Sequence, residues 1–213
     1  MTMASRVPPS KRSRRKRLAV PAEAGVVDTP SLTGHFLIAM PGMGDPNFVR
    51  GITFICQHNE DGAMGLIVNR LSDYKLGDVL KQMHMSCSRE DVAAAPVLVG
   101  GPVQPERGFV LHTAGGHEWE SSYHVNDSLA VTTSRDVLAA MADGDGPAHA
   151  LVALGFAGWS AGQLEQELRE NAWLTAIAND RILFDTRLDD RWNAAIASLG
   201  INPANLTSYS GRA

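Results

Sequence analysis

The sequence predicts a single α/β domain of three layers, with a mixed, largely antiparallel sheet flanked by helices. Three observations carry that expectation. Apolar runs of strand length outnumber helical patterns, hairpin-type links mix with helical crossovers, and an apolar fraction of 44% over 213 residues is enough for one sizeable core. The folded unit is placed at 31–205. A basic, disordered arm is expected at 1–30 and a flexible tail at 206–213.

Phe36 to Met40 is a continuous apolar run closed by Pro41-Gly42, a buried strand ending in a turn. Ile52 to Cys56 and Gly65 to Val68 are two more such strands. The Asn59-Glu60-Asp61-Gly62 turn joins them into a hairpin, since Asn and Asp tolerate left-handed backbone and Gly supplies positive φ. Leu76, Val79, Leu80 and Met83 repeat with helical spacing. Pro96 to Val99, Phe109 to His112 and Leu129 to Thr133 read as strands. A helix capped by Ser134 follows, with Val137, Leu138 and Met141 inward.

Ala150 to Phe156 is long and apolar enough to be a central strand. Ser160 to Gln163 matches a capping box that opens a helix with Leu164, Leu168 and Ala172 on one face, supported by a Glu165–Arg169 pair. Trp173 to Ala178 and Arg181 to Phe184 read as two closing strands around Asn179-Asp180. The last helix carries Trp192, Ala195, Ile196 and Leu199, ended by Gly200 and by the Asn202-Pro203 stop.

The net charge of −4 hides an asymmetry. Residues 1–25 hold seven basic side chains against Glu23, a balance of +6, whereas the remainder holds 12 basic and 22 acidic residues, a balance of −10. An acidic body argues against a general attraction to nucleic acid or anionic lipid. Nucleic-acid contact is expected only through the arm, at Lys11, Arg12, Arg14, Arg15, Lys16 and Arg17, where clustered cations gain from counterion release. A solvated extension explains the same residues with less, because no aromatic stacking residue accompanies them.

Two cysteines, Cys56 in an apolar run and Cys87, make no disulfide framework, which points to a reducing cytoplasm. No apolar run approaches a bilayer span, so no membrane association is expected. Ser13-Arg14-Arg15 resembles a twin-arginine export signal, but proline and glutamate interrupt the residues that follow.

The most suggestive local chemistry is Gly100-Gly101-Pro102 followed by Arg107. Adjacent glycines let backbone N–H groups converge on an anion, and the arginine completes such a nest; the alternative is a tight connection between strands. No Gly-Lys-Ser/Thr ending follows, so a nucleotide phosphate loop is not expected. His58, Asn59, Asn69 and Arg70 lie at strand ends, where neighbouring strands carrying Arg107 and His112 would join them in a ligand-binding polar surface. Ordinary strand-end hydrogen bonding is the favoured account of them, since Asn so often terminates strands.

His112, His117, Glu118 and Glu120 are the nearest approach to a metal set, but Gly115-Gly116 lies between the histidines and no HxxxH or CxxC spacing occurs, so no metal is expected. Ser160 sits in Gly158-Trp159-Ser160-Ala161-Gly162, the nucleophile-elbow pattern. An ordinary hydrolase triad needs a histidine downstream, and none follows His149. No catalytic residue and no cofactor are assigned.

Four blocks resemble the YqgE/AlgH family of bacterial proteins. They are Gly34 to Pro41 with Asp45 to Phe48; Cys56 to Asn59 with Gly62 to Arg70; Gly100 to Val103 with Arg107 to His112; and Leu154 to Glu165, continued by Asn171 to Leu174. Gln57, where the family often has an acidic residue, and Leu71, where proline is usual, depart from the pattern. The resemblance implies a cytoplasmic protein with a three-layer α/β fold, no established enzymatic activity and a proposed role in transcriptional regulation. The expected function is therefore a non-catalytic regulatory protein that binds an unidentified small molecule or protein partner. The alternatives are a hydrolase-like enzyme using the His/Asn/Arg surface, and a nucleic-acid-associated regulator acting through the arm.

Overall fold

A computed structural model describes residues 30–207. The run opening at His35 forms β1 (His35–Ala39), and the expected hairpin is β2 (Ile52–Asn59) and β3 (Gly62–Ile67). Then come β4 (Leu71–Lys75), α1 (Leu76–Gln82), α2 (Glu90–Ala93), β5 (Pro96–Val99), β6 (Val103–Thr113), β7 (Ser122–His124) and β8 (Leu129–Thr132). The chain continues through α3 (Arg135–Asp143), β9 (Ala150–Ser160), α4 (Gln163–Arg169), β10 (Trp173–Ile177), α5 (Arg191–Ser198) and α6 (Pro203–Thr207). Residues 1–29 of the expected basic arm and 208–213 of the expected tail lie outside the described residues.

The strands run β10-β1-β2-β3-β9-β6-β8-β7, all antiparallel, and β5 adds a parallel pairing, to β9, while carrying β4 on its other side. As expected, β9 is central. Its first half lies between β5 and β6, and its second half pairs with β3. The sheet is mixed, curled and flanked by helices.

Side-chain alternation separates the layers. Phe36, Ile38 and Phe54 face a core shared with Phe109, Leu111, Ala153 and α5, whereas Leu37, Ala39 and Ile55 point the other way, towards Trp159, Leu164 and Trp173. Val97, Val110 and Val152 meet a third cluster with Leu76 and Leu80 of α1 and Val137 and Leu138 of α3. The inner face of the curl therefore holds one core, α4 covers one outer patch, and α1 with α3 covers the other.

Three local expectations are corrected. Arg181 to Asp185 is a π-helical turn, not a strand, because Asn179 accepts the Ile182 N–H on its side chain at 3.0 Å and the Leu183 N–H on its carbonyl at 3.2 Å. The N-cap of α4 is Gly162, at φ 75°, rather than Ser160; only half of the box forms, the Ser160 N–H donating to Gln163 Oε1 at 3.0 Å. Asn202-Pro203 opens α6 instead of only ending α5, the Asn202 side chain accepting the Ala204 N–H at 3.0 Å.

Candidate functional site

A cavity of about 650 Å³ opens between β6, α1 and α3. Its apolar wall is built by Val79 and Met83 from the α1 end, Phe109 and Val110 from β6, Leu138 from α3, and Val152 and Leu154 from β9. Two features of β6 leave the space open. Its register against β9 shifts between Val103 and Gly108, with Gln104 held at φ 47°, and Gly108 carries no side chain where an added Cβ would meet nothing within 4 Å. A volume of this size fits an ordinary small molecule.

Arg107 lines this cavity together with Glu106. Its guanidinium lies over the Phe109 ring at 5.2 Å, and Nη1 donates to Gln104 Oε1 at 3.4 Å. Among the described residues no carboxylate pairs with it. The guanidinium thus rests on the Phe109 ring with most of its donors available.

Thr132 also lines the cavity and links it to His112. The His112 Nδ1–H donates to the Thr113 carbonyl at 2.9 Å, so Nε2 accepts from the Thr132 hydroxyl at 2.8 Å, and the Ser122 hydroxyl in turn donates to Thr132 at 2.6 Å. His112 is buried, and that burial lowers its pKa; the bond to Thr113 opposes the shift and nearby His124 adds to it. The imidazole is held neutral with both nitrogens engaged.

His58 stands elsewhere, on the outer face near α4. The Leu32 N–H donates to His58 Nδ1 at 3.0 Å, which leaves Nε2–H to donate to Glu165 Oε1 at 2.8 Å. Burial alone would raise the Glu165 carboxyl. The bond from its own backbone N–H, the interaction with His58 and the nearby Arg169 charge together outweigh burial and hold it below the ordinary range. Glu165 Oε1 accepts from His58, and Arg169 donates to Gln166 Oε1 at 2.8 Å from Nη2, so the expected Glu165–Arg169 pair persists as a charge attraction that lowers the Glu165 carboxyl and not as a direct ion-pair contact. Two residues on, Glu167 Oε2 accepts the indole N–H groups of Trp159 at 2.9 Å and Trp173 at 2.8 Å, while Phe48 packs on both rings.

Asn59 serves its own turn, accepting the Asp61 N–H at 3.0 Å. Asn69 and Arg70 hold the loop ahead of β2. Asn69 accepts the Ile52 N–H and donates to the Arg50 carbonyl, each at 2.9 Å, and Arg70 donates to the carbonyls of Pro46 at 2.8 Å and Val49 at 3.2 Å. Gly100 and Gly101 are packed against the backbone of β9. A Cβ on Gly101 would lie 2.1 Å from the Phe156 carbonyl carbon, and the Gly100 N–H is spent on the Leu154 carbonyl at 2.8 Å. That amide is closed to an anion; Pro102 beside it is exposed.

The nine residues predicted to form a ligand surface thus occupy separate places, and only Arg107, with His112 behind Thr132, belongs to the large cavity. The expected convergence of His58, Asn69 and Arg70 with them does not occur, because β3 and β9 stand between β2 and β6. The apolar walls from α1, α3 and β9 were read from sequence as core and nothing more. Their period does not distinguish a filled interior from one with a gap. The predicted arm residues 11–17 lie outside the described residues. Among the described residues, no three His, Cys, Asp or Glu side chains form a group that holds a metal, and no helix is long and apolar enough to cross a membrane.

Residues 36–204 match the model of the AlgH-like family. The chain is 55% identical over 188 residues to a UPF0301 protein of Xanthomonas campestris pv. campestris (strain B100), covering 88% of this chain and 99% of that one. The solution structure of the AlgH protein from Pseudomonas aeruginosa is 45% identical, covers 93% of this chain and 100% of its own, and superposes with a TM-score of 0.71. A crystal structure of a Corynebacterium diphtheriae protein shares the fold at 22% identity, with a TM-score of 0.64 over 86% of this chain and 93% of that one. With the family model spanning nearly the whole described chain, and the curled mixed sheet shared with these structures, this protein belongs to the AlgH-like family.

Proposed function

We propose that this chain is a non-catalytic binding protein that holds an organic anion with an apolar body in the cavity between β6, α1 and α3. The observation that carries the reading is the position of Arg107: a guanidinium without a carboxylate partner among the described residues, on the rim of a 650 Å³ space with an apolar wall. Apolar area would supply affinity, and a charge-assisted bond to Arg107 would supply orientation. The histidines support the absence of catalysis, since both ring nitrogens of His58 and of His112 are already bonded and neither offers a free base. Ligand occupancy between two helices and a sheet suits a regulatory role, through a partner that senses the α1–α3 surface. The free thiols of Cys56 and Cys87 fit a reducing cytoplasm.

The test is a thermal-shift and calorimetric screen of organic carboxylates and phosphates. Arg107→Gln is expected to weaken a hit by roughly 10- to 100-fold, the worth of a hydrogen bond to a charged group. Gly108→Leu fills the cavity from a position where the new side chain meets open space, and should abolish binding while leaving the fold intact. A hit that both variants bind as well as the wild type overturns the site.

A further inference from the structure

A second pocket, about 350 Å³ in volume, lies between the loop ahead of β2 and the start of α5. It is lined by Val49, Arg50, Asn69, Arg70, Asp189 and Trp192. From these residues we infer a binding site for a phosphoryl group, with Arg50 and Arg70 as its charged donors.

The Arg50 guanidinium makes no hydrogen bond or ion pair with the described residues, so its five N–H donors remain available. It is nevertheless held in place. The guanidinium lies 4.4 Å over the Trp192 ring, and Trp192 is itself buried and anchored by its indole N–H to the Ala39 carbonyl at 2.9 Å. The Arg50 backbone sits at φ 51°, a conformation uncommon for a long side chain, and the Asn69 amide fixes it by donating to the Arg50 carbonyl. Arg70 spends one N–H on each of two carbonyls and keeps three. Two preorganised guanidiniums with spare donors match the tetrahedral oxygens of a phosphoryl group.

The ground behind the pocket is also positive. Arg191 is 3% exposed and donates to the Thr186 carbonyl at 3.0 Å and to the carbonyl of Val68, the residue before Asn69. No carboxylate pairs with it among the described residues, and burial pulls its pKa down to about 10. A buried guanidinium answered only by carbonyl dipoles leaves a positive field, which an anion in the adjacent pocket offsets. Asp189 is the one carboxylate among the lining residues, and it opposes an anion. This concentration of positive charge stands within a body whose balance, outside the first 25 residues, is −10.

The experiment is isothermal titration of the full chain with inorganic phosphate, a phosphate monoester such as phenyl phosphate, and succinate as a carboxylate control. Binding of a phosphoryl probe is expected to weaken roughly tenfold or more in Arg50→Gln, to tighten severalfold in Asp189→Asn, and to be unchanged in Gly108→Leu. The last variant separates this site from the apolar cavity, so either can fail alone. Thermal midpoints of the variants confirm that each is folded. A monoester that outbinds inorganic phosphate identifies a phosphorylated metabolite as the ligand, and equal affinity identifies free phosphate; both support the site. Absence of phosphoryl binding at millimolar concentration, succinate binding as tight as phosphate, or full-strength binding in Arg50→Gln overturns it. The last result would mean that the anion sits elsewhere, the basic run at 11–17 included.

Discussion

Thr53 sits fully buried on β2, and its hydroxyl finds no hydrogen-bond partner among the described residues. An unanswered buried hydroxyl costs about 1–3 kcal/mol, so the nearly isosteric Thr53→Val should raise the thermal midpoint; a fall in stability would reveal a partner for that oxygen. His112 gives a pH signature of the same kind. Its folded pKa is depressed, so protons bind the unfolded chain more readily once the pH falls below the ordinary histidine value near 6.5. Stability should therefore decline from pH 7 towards pH 5.5, ahead of the carboxylates, and His112→Gln should flatten that decline. Equal losses in denaturant melts of both proteins would remove His112 as the cause. Glu165 acts lower on the scale: its contribution is present above the ordinary glutamate range and is lost as the pH falls through its depressed folded value.

At the scale of elements, two glycines separate backbone freedom from close approach. Gly162 begins α4 at φ 75° with nothing within 4 Å of an added Cβ, so Gly162→Ala should cost about 1 kcal/mol, from conformation alone. Gly101 lies against β9, where a Cβ would overlap Phe156 backbone, so Gly101→Ala should prevent the β6–β9 crossing and leave little folded protein. Comparable urea midpoints for the two variants would contradict this difference. The second half of α4 works as a clamp, because Glu167 is the common acceptor for Trp159 and Trp173. Glu167→Ala orphans two indole N–H groups at once and is expected to cost about 2–4 kcal/mol, read as a loss of denaturant midpoint.

For the whole molecule, charge separates residues 1–25, at +6, from the remainder, at −10. If the full chain binds DNA or RNA, that affinity should fall steeply with salt and vanish when residues 1–29 are removed; retention after removal would assign it to the acidic body instead. The curl of the sheet explains how two unlike pockets coexist. One opens where α1 and α3 cover the outer face, and the other where α5 meets the loop that Asn69 and Arg70 hold.

Much of this architecture was legible from local pattern. Strand-length apolar runs located β1, β2, β3, β5, β8, β9 and β10, because burial on both faces removes polar residues from a run. The four motif blocks carry the family resemblance in the sequence alone. β4 and β7 were missed because Leu71 to Lys75 and Ser122 to His124 are largely exposed and carry no periodic apolar signal. Arg181 to Phe184 was misread because its apolar residues suit a strand and a buried turn equally, and Asn179 decides between them. Residue types with chemistry were also visible: His58, Arg70, Arg107 and His112 were all singled out. Their assignment to sites was not. Which strand lies between two others, whether His58 finds Glu165, and whether Arg50 rests on Trp192 are facts about residues far apart in the chain. They depend on sheet order and packing, which no local period encodes.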